Sequence, residues 1–553
     1  MYYLKSYGIL SYSFFPELQL RIDKFLPTSL RSVASVATAV IVLIATIFVI
    51  AFSLWQNQYT VDPHHAGLML SNAKDLAEGK VPYQEIFIQY GMLTTVIQAL
   101  AFMMLGQNLL AIIFITALAY ALGLIGVFFV GLEISASKRL ALYAYLSCVL
   151  IHELVIYPWS NYVAFPFIAF GALFVLRSSK GRFNSALAGF LFGLAILCRE
   201  NLLIPIFLAG FVISIIKIWK GEAAFKGLNI KTFWISLLFP LIIFLLTISL
   251  LGAYQFWYIN AIELPRLYAT TMFLGEGVFP ALRSLLLYFW AGVGAKDPRL
   301  IFLLLILLSS ITVLVRSFLD HGDQGRKWNN FFIAFLTLLL LSSSLHLNEI
   351  FRLITGFSLG AIFVFYLANK IKVADLLFII MVMACWHTRS WHIGNNFTPL
   401  PTTIQTAEIV KSPSVFRGQK WTSPVRFYYQ SINSDMQYLK SHSCGIDYLL
   451  NDSPDAFIAA ISPFKQYQIA PFGRGLDLTR SEQLDFLRTD YKLQAKILEA
   501  KDLLIIRTLK NEQEVGMYRP PNGFYVYKTY QLPSNVYFMQ GHSLALIAPQ
   551  ACK

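Results

Sequence analysis

Charged side chains are scarce in this sequence, and the scarcity argues against an ordinary soluble protein. Asp, Glu, Lys and Arg make up 13% of the 553 residues, and 57% of the residues are hydrophobic. A soluble domain is typically about 25% charged. The five cysteines form no paired motif, and no phosphate-binding glycine loop, nucleotide-sugar signature or nucleophile elbow is present. These absences argue against a nucleotide-dependent enzyme.

Long apolar runs are what the sequence has instead. Residues 36–54 contain no charge, and we interpret them as an uncleaved first span because no small-residue cleavage site follows. Several runs approach the ~20 residues that cross a bilayer as a helix, and no soluble core needs so many of them. We predict eleven spans, near residues 34–55, 108–131, 140–156, 161–176, 183–198, 202–219, 232–252, 299–317, 330–347, 350–368 and 372–388.

One further apolar segment, residues 90–105, is predicted not to cross the membrane. At about 16 residues it is shorter than a usual span. If it stays outside, the amino terminus and every strongly basic short loop share one side, as the excess of Lys and Arg in cytoplasmic loops requires. We therefore predict a helix that dips into the outer leaflet and a cytoplasmic amino terminus. The net charge of +14 is then explained by basic loops, and no nucleic acid partner is expected.

The composition changes at about residue 388 and divides the chain into two regions. Residues 1–388 form the predicted all-α membrane domain, whose long loops outside the cytoplasm are residues 56–107 and 253–298. Residues 389–553 alternate between helix and strand patterns, which predicts a soluble α/β domain outside the cytoplasm. Its helices are predicted in SDMQYLKSH, DAFIAAI and SEQLDFLRTDY, and its strands in GIDYLLN, DLLIIRTL and GFYVYKTY.

The first long loop carries a carboxylate where the first span reaches water. Asp62 precedes Pro63, a residue favoured in the first turn of a helix, so the carboxylate occupies a cap and meets the positive helix end. Asp62 is therefore either a helix cap alone or a catalytic base or metal ligand. His64 and His65 could bind metal or transfer protons, but adjacent helical residues point about 100° apart and make a poor shared metal site.

Four more residues of this loop are candidates for substrate or metal contacts. Lys74 and Lys80 are cations at the level of the lipid headgroups and could bind phosphate, although surface lysines are commonly solvated. Glu85 and Tyr90 precede the dipping helix and are candidates for the acceptor side. A divalent metal stays open, and no other cofactor is predicted.

Ionisable residues inside or at the outer ends of spans form a second group, because burial there is costly. Outward cations run against the positive-inside trend, and an anionic ligand at the outer leaflet would explain them. Arg199 could instead be neutralised by its neighbour Glu200. The group comprises Glu153, Arg199, Arg266, His346 and Arg352.

The order of motifs in the first loop resembles the C-type superfamily of membrane glycosyltransferases (GT-C). There an acidic residue follows the first span, then come G-x-x-P-Y-x-D/E, Y-G-P and an apolar helix that ends in L-F-G. The corresponding segments here read DPHH, GKVPYQE, YGM and MMLG, with weaker matches in AGFLFGLAILCRENLLIPI and FWYINAIELPRL. The sequence is similar to the group that includes protein O-mannosyltransferases and lipid A aminoarabinose transferases.

The resemblance implies a polyprenyl-phosphate sugar donor. It also implies that Asp62 activates the acceptor hydroxyl and that Arg199 and Arg266 hold the donor phosphate. The sequence departs from the family at His64, where many relatives carry Glu, and at Asn161, near where some have a second acidic residue. It also has Met92 in place of the Pro of Y-G-P. These departures leave metal use and the second carboxylate open.

The chemistry of such a reaction is consistent with these residues. A lipid-linked donor needs no nucleotide, its phosphate leaving group needs cations, and the acceptor hydroxyl needs a base. We predict a hexosyl- or pentosyltransferase of the plasma (inner) membrane that acts on a glycan, lipid or protein acceptor. A transporter or flippase of a lipid-linked glycan stays open, although it would not need a carboxylate-bearing loop. A non-catalytic scaffold whose tail binds a partner also stays open.

Overall fold

The computed structural model is largely helical and has a helix over each of the eleven apolar runs. It describes residues 28–88, 91–151, 158–263, 278–295, 297–319, 324–344, 350–392, 401–442, 445–467, 502–509, 514, 517–533 and 542–553. The helices up to residue 392 are α1 (Thr28–Asn57), α2 (His65–Ala77), α3 (Met92–Leu105), α4 (Leu109–Ser135), α5 (Lys138–Ile151), α6 (Ser160–Leu176), α7 (Arg182–Cys198), α8 (Leu203–Lys220), α9 (Ile230–Leu250), α10 (Tyr254–Tyr258), α11 (Val278–Gly294), α12 (Pro298–Leu319), α13 (Gln324–Leu340), α14 (Ile350–Phe357), α15 (Ala361–Lys370) and α16 (Ala374–His392).

Several of these helices are suited to a bilayer by length and composition, which makes the protein a multi-pass membrane protein. Among the described residues, six segments meet both conditions: Val36–Asn57, Leu109–Ser135, Glu200–Ala223, Ile230–Leu250, Pro298–Leu319 and Arg352–Lys370. Helix α3 has 14 residues, or about 21 Å at 1.5 Å per residue, which is less than the ~30 Å hydrocarbon core. Eleven spans and a dipping α3 stay predictions.

Small residues allow the membrane helices to pack backbone against backbone. A Cβ on Gly189 of α7 would lie 2.0 Å from the Phe233 carbonyl oxygen of α9, and one on Gly193 would lie 2.5 Å from that of Leu237. Close approach of this kind supplies the packing that holds helices together in lipid. Large apolar side chains such as Phe211 remain exposed on the outside of the bundle, where a bilayer would cover them.

The carboxyl-terminal region contains the predicted mixture of helix and sheet. Its elements are α17 (Pro401–Thr406), β1 (Glu408–Ile409), β2 (Lys420–Trp421), α18 (Ser423–Ser441), β3 (Tyr448–Asp452), α19 (Ala456–Ile461), β4 (Lys465–Gln466), β5 (Leu503–Leu509), β6 (Phe524–Gln531) and β7 (Ser543–Pro549). The main sheet has the order β4-β3-β5-β7-β6. Strand β3 is parallel to β4 and β5, whereas β7 is antiparallel to β5 and β6.

The sequence patterns located five of these ten elements, and a central strand is among those they missed. Helices α18 and α19 and strands β3, β5 and β6 lie where they were predicted, whereas the helix predicted in SEQLDFLRTDY lies outside the described residues. Strand β7 was not predicted, and all seven of its residues are buried. A strand that is buried on both faces shows no alternation of polar and apolar residues, so periodicity does not reveal it.

The tail, by which we mean residues 401–553, shares an apolar core with the first loop. Buried side chains of α2 and α3, including Leu70 and Phe102, belong to the same cluster as Trp421, Tyr429 and Phe457 of the tail. This shared core fixes the first loop between the membrane helices and the tail. The domain boundary at residue 388 stays a prediction.

Candidate active site

Asp62 caps α2 and is almost completely buried. Its side chain accepts a hydrogen bond from the backbone N–H of His65 (Oδ1 to N, 3.0 Å), and the residue is 3% exposed. The regular helix begins at His65, after a turn at Pro63 and His64. The structure therefore supports the capping interpretation of Asp62. It does not exclude a chemical role, because the second carboxylate oxygen has a different partner.

That partner is the ring of His65, which gives the site an aspartate–histidine pair. The Asp62 Oδ2 lies 3.0 Å from the His65 Nδ1. Burial alone would raise the pKa of Asp62, but the charge and hydrogen bonds of His65 outweigh burial and hold the pKa below its ordinary value. The carboxylate is therefore ionised at neutral pH and orients the imidazole, an arrangement that can accept a proton.

His64 is held in its neutral form by its surroundings. Burial, together with the charge of His65, lowers the pKa of His64 to about 4, against the opposing effects of Asp62 and of a hydrogen bond to the Pro454 carbonyl. The two imidazole rings meet edge to face with centroids 4.9 Å apart. Among the described residues, no group of three or more His, Cys, Asp or Glu side chains could hold a metal ion. The described residues therefore do not fit a metal.

A series of ring contacts connects His65 to a buried arginine. The His65 ring packs edge to face on Trp159, with centroids 4.7 Å apart. On the same indole, the guanidinium carbon of Arg352 lies 5.6 Å from the ring centroid, and Arg352 is 5% exposed. This contact places a permanent positive charge one aromatic ring away from the Asp62–His65 pair. Trp159 was not recognised from the sequence, in which nothing distinguishes it from an interfacial tryptophan.

Asn161 lies beside this series of contacts, in the first turn of α6. It is 4% exposed, and its side-chain Oδ1 has no hydrogen-bond partner within the part of the chain that the structure describes. Buried polar atoms are normally paired, so a group of this kind is typical of a functional site. Asn161, which stands near where some members of the resembled family have a second acidic residue, stays a candidate site residue.

Arg199 lies at the turn between α7 and α8. Helix α3 holds this turn beside the one that contains Pro158 and Trp159. The Thr94 hydroxyl donates to the Cys198 carbonyl (2.9 Å), and the Gln98 side chain donates to the Pro158 carbonyl (2.7 Å). Thr94 and Gln98 are one helical turn apart, about 6 Å. The Arg199 turn and the Trp159 turn therefore contact the same face of α3. Arg199 itself is 3% exposed.

The neutralisation of Arg199 by Glu200, one of the two alternatives raised above, is wrong. Arg199 Nε donates to the Asn201 side chain (2.8 Å), whereas Glu200 Oε1 accepts from the Tyr83 hydroxyl (2.9 Å) and the Trp257 indole N–H (3.2 Å). Adjacent residues at a helix–helix turn point in different directions, so proximity in sequence did not produce an ion pair. Glu200 instead ties the first long loop to the second.

The other three described candidates of the first loop, Lys74, Lys80 and Glu85, have hydrogen-bond or ion-pair partners within the protein. Lys80 Nζ lies 2.6 Å from Asp75 Oδ1, and Lys74 Nζ donates to the Ala460 carbonyl (3.0 Å). Exposed Glu85 accepts from the backbone N–H of Val81 (2.7 Å) and stabilises a turn. Phosphate and acceptor roles for these three residues stay predictions. Four other candidates lie outside the described residues, namely Tyr90, Glu153, Arg266 and His346.

The arrangement of the helices and the tail sheet confirms the resemblance at the level of the fold. The fold is similar to two crystal structures of ArnT from Cupriavidus metallidurans. The structure bound to undecaprenyl phosphate has a TM-score of 0.51 and 10% identity, with 93% of this chain and 97% of that chain covered. The apo structure has a TM-score of 0.54 and 10% identity, with 93% and 98% covered. No family model and no curated protein match the sequence.

Proposed function

We propose that the protein is a membrane glycosyltransferase that moves a sugar from a polyprenyl-phosphate donor to an acceptor outside the cytoplasm. The observation that carries the proposal is the pair of buried Asp62 and partly buried His65, which lies against Trp159, whose ring also contacts Arg352. Such a site combines a proton acceptor with a cation in a region shielded from water. The fold supports the proposal, since an ArnT with this fold binds undecaprenyl phosphate.

The proposed reaction is a displacement at the anomeric carbon of the donor. The acceptor hydroxyl gives its proton to the Asp62–His65 pair, and its oxygen forms a bond to the anomeric carbon. The bond between that carbon and the phosphate oxygen breaks, and the electron pair leaves with the polyprenyl phosphate. Arg352 and Arg199 are the described cations best placed to stabilise the phosphate, because charge-assisted hydrogen bonds from arginine match its oxygens.

The proposed orientation follows from the loop charges. A cytoplasmic amino terminus puts Asp62, Arg199 and the tail on the outer side of the plasma membrane. The proposed donor is a lipid-phosphate-linked sugar, either a hexose or a pentose. The proposed acceptor is an extracytoplasmic glycan, lipid or protein.

An Asp62→Asn variant tests the function. Asn caps a helix about as well as Asp, so the variant should fold, while transfer should fall by about a hundredfold or more, as expected for loss of a general base. The measurement is release of undecaprenyl phosphate from an undecaprenyl-phosphate-linked sugar by protein in lipid nanodiscs. Near-normal release by Asp62→Asn would leave Asp62 as a cap only. Passage of the intact donor across vesicles without cleavage would identify a flippase.

A further inference from the structure

The tail contacts the first loop at the two residues that flank the Asp62 turn. The backbone N–H of Ala456 donates to the Pro63 carbonyl (3.1 Å). The Pro454 carbonyl accepts a hydrogen bond from the His64 ring. Both contacts come from one short turn of the tail, residues 453–457, and both act on residues immediately after Asp62. A carbonyl acceptor also fixes which ring nitrogen of His64 carries the proton.

A glycine allows α2 to lie directly against this turn. A Cβ on Gly67 would lie 2.8 Å from the backbone nitrogen of Phe457 and 3.0 Å from the Ala456 Cβ. Any larger residue would push α2 and the tail apart. The contact is therefore built from two backbones, which transmit a displacement more directly than flexible side chains do.

The tail also holds the far part of α2. Gln466 Nε2 donates to the Ser71 hydroxyl (2.9 Å) and lies 3.3 Å from Asp75 Oδ2. Lys74 Nζ donates to the Ala460 carbonyl (3.0 Å). These contacts follow one face of α2 from its first turn to its last, a length of about 18 Å. Rotation or sliding of the helix would break them together.

The turn is itself rigid because Asp455 is bound on both oxygens. Asp455 is completely buried, its Oδ1 accepts from the backbone N–H of Phe457 (3.0 Å) and its Oδ2 accepts from the Tyr429 hydroxyl (3.0 Å). The Asn451 side chain donates to the Asp455 carbonyl (2.8 Å). Through Tyr429, the turn is fixed to α18, the central helix of the tail.

We propose that residues 453–457 of the tail belong to the active site, where they position Asp62 and His64 for transfer, with Asp455 as the positioning residue that holds the turn. This inference rests on the transferase function proposed above. The tail is then a working part of the transferase. Its turn decides where α2 begins and how the His64 ring is oriented.

The test compares four tail variants in the whole chain. Asp455→Ala removes both hydrogen bonds of the carboxylate, and Tyr429→Phe removes only the hydroxyl that binds it. The matched control is Asp435→Ala, because Asp435 Oδ2 also accepts from a tyrosine hydroxyl (Tyr530, 2.6 Å) and from Lys528 (2.7 Å), and neither partner belongs to α2 or to residues 453–457. Asp455→Asn can keep both bonds and serves as the conservative rescue.

Two readouts do not depend on activity. Hydrogen exchange of the amides of residues 65–71 should accelerate about tenfold or more in Asp455→Ala, less in Tyr429→Phe, and not in the control. The pKa of His64, measured by the pH dependence of its acylation, should rise from about 4 as the turn loosens, because relief of burial, the largest cause of the lowered pKa, outweighs loss of the hydrogen bond to Pro454. The kcat for release of undecaprenyl phosphate should fall about tenfold with little change in KM, and Asp455→Asn should restore it.

Each outcome bears on one of the two proposals. Unchanged exchange and unchanged His64 titration in Asp455→Ala, with a loss of Tm like that of the control, would make Asp455 merely structural and overturn the inference. Accelerated exchange with a wild-type kcat would also overturn it. If exchange and titration change as expected but the wild-type protein releases no undecaprenyl phosphate, the proposed function fails while the hold of the tail on α2 stands. Should Asp455→Ala not fold, Tyr429→Phe decides between these outcomes.

Discussion

Two buried carboxylates lie on either side of the contact between the first loop and the tail, and their environments differ in one respect. Asp62 and Asp455 each cap a helix through a backbone N–H, at His65 and Phe457 respectively. The second oxygen of Asp62 meets an imidazole, whereas that of Asp455 meets the Tyr429 hydroxyl. The pKa of Asp62 is held below its ordinary value, whereas burial raises the pKa of Asp455 to about 7.

The comparison shows that burial alone does not decide the charge of a carboxylate. Desolvation favours the neutral acid in both cases, and at Asp62 the charge and hydrogen bonds of His65 reverse the effect. The first loop thereby keeps an ionised carboxylate. The tail keeps a group that is suited to hold a structure and that changes its charge near neutral pH.

The largest expected loss of stability comes from removing the imidazole of His65, the partner of Asp62. His65→Leu would leave a buried carboxylate with no partner for its second oxygen, and loss of one member of a buried pair destabilises by about 3 kcal/mol or more. Since His65 lowers the pKa of Asp62, this stabilisation is present above pH ~4, the ordinary carboxylate range, and is lost as pH falls below it. Chemical denaturation of wild type and variant at pH 7 and pH 2 measures the stabilisation and its loss on acidification. An equal loss at the two pH values would show that the pair does not set the charge of Asp62.

A smaller dependence of stability on pH, opposite in sign, is expected from Asp455. The folded-state pKa of about 7 lies above the unfolded value, so its contribution to stability is complete below pH ~4 and is lost as pH rises through 7. The groups that face it are the Tyr429 and Tyr428 hydroxyls, the backbone N–H of Phe457 and, beyond Tyr429, Asp62. Thermal unfolding should show a wild-type Tm that falls by a few degrees between pH 5 and pH 8 relative to Asp455→Asn. Parallel curves would mean that Asp455 does not titrate in this range.

The smallest expected loss of stability tests the contact between α2 and residues 453–457. Gly67→Ala should destabilise the protein by about 1–2 kcal/mol, because the added methyl group must displace the backbone of the tail turn. Gly294→Ala is the control, since a Cβ there meets no atom within 4 Å. Chemical denaturation compares the two variants. If Gly67→Ala were as stable as the control, α2 and the tail would not be in rigid contact.

The membrane domain was accessible to sequence analysis because its determinants are local. The length and apolar composition of a helix in lipid are properties of consecutive residues, and a helix lies over every predicted run. Asp62 could also be found locally, since a carboxylate before Pro63 at the end of a span indicates a cap. The same patterns assigned Arg352 only as an outward cation, with no indication of its contact with Trp159.

What the sequence by itself determined is a polytopic helical membrane protein with a small α/β tail and a carboxylate at the start of its first loop. The partner of Glu200, the position of Arg352 against Trp159 and the hold of residues 453–457 on α2 were decided by the tertiary structure alone. Pro63 and Ala456 are separated by nearly four hundred residues. Pairing over such a distance depends on how whole helices pack, which neither hydropathy nor periodicity contains.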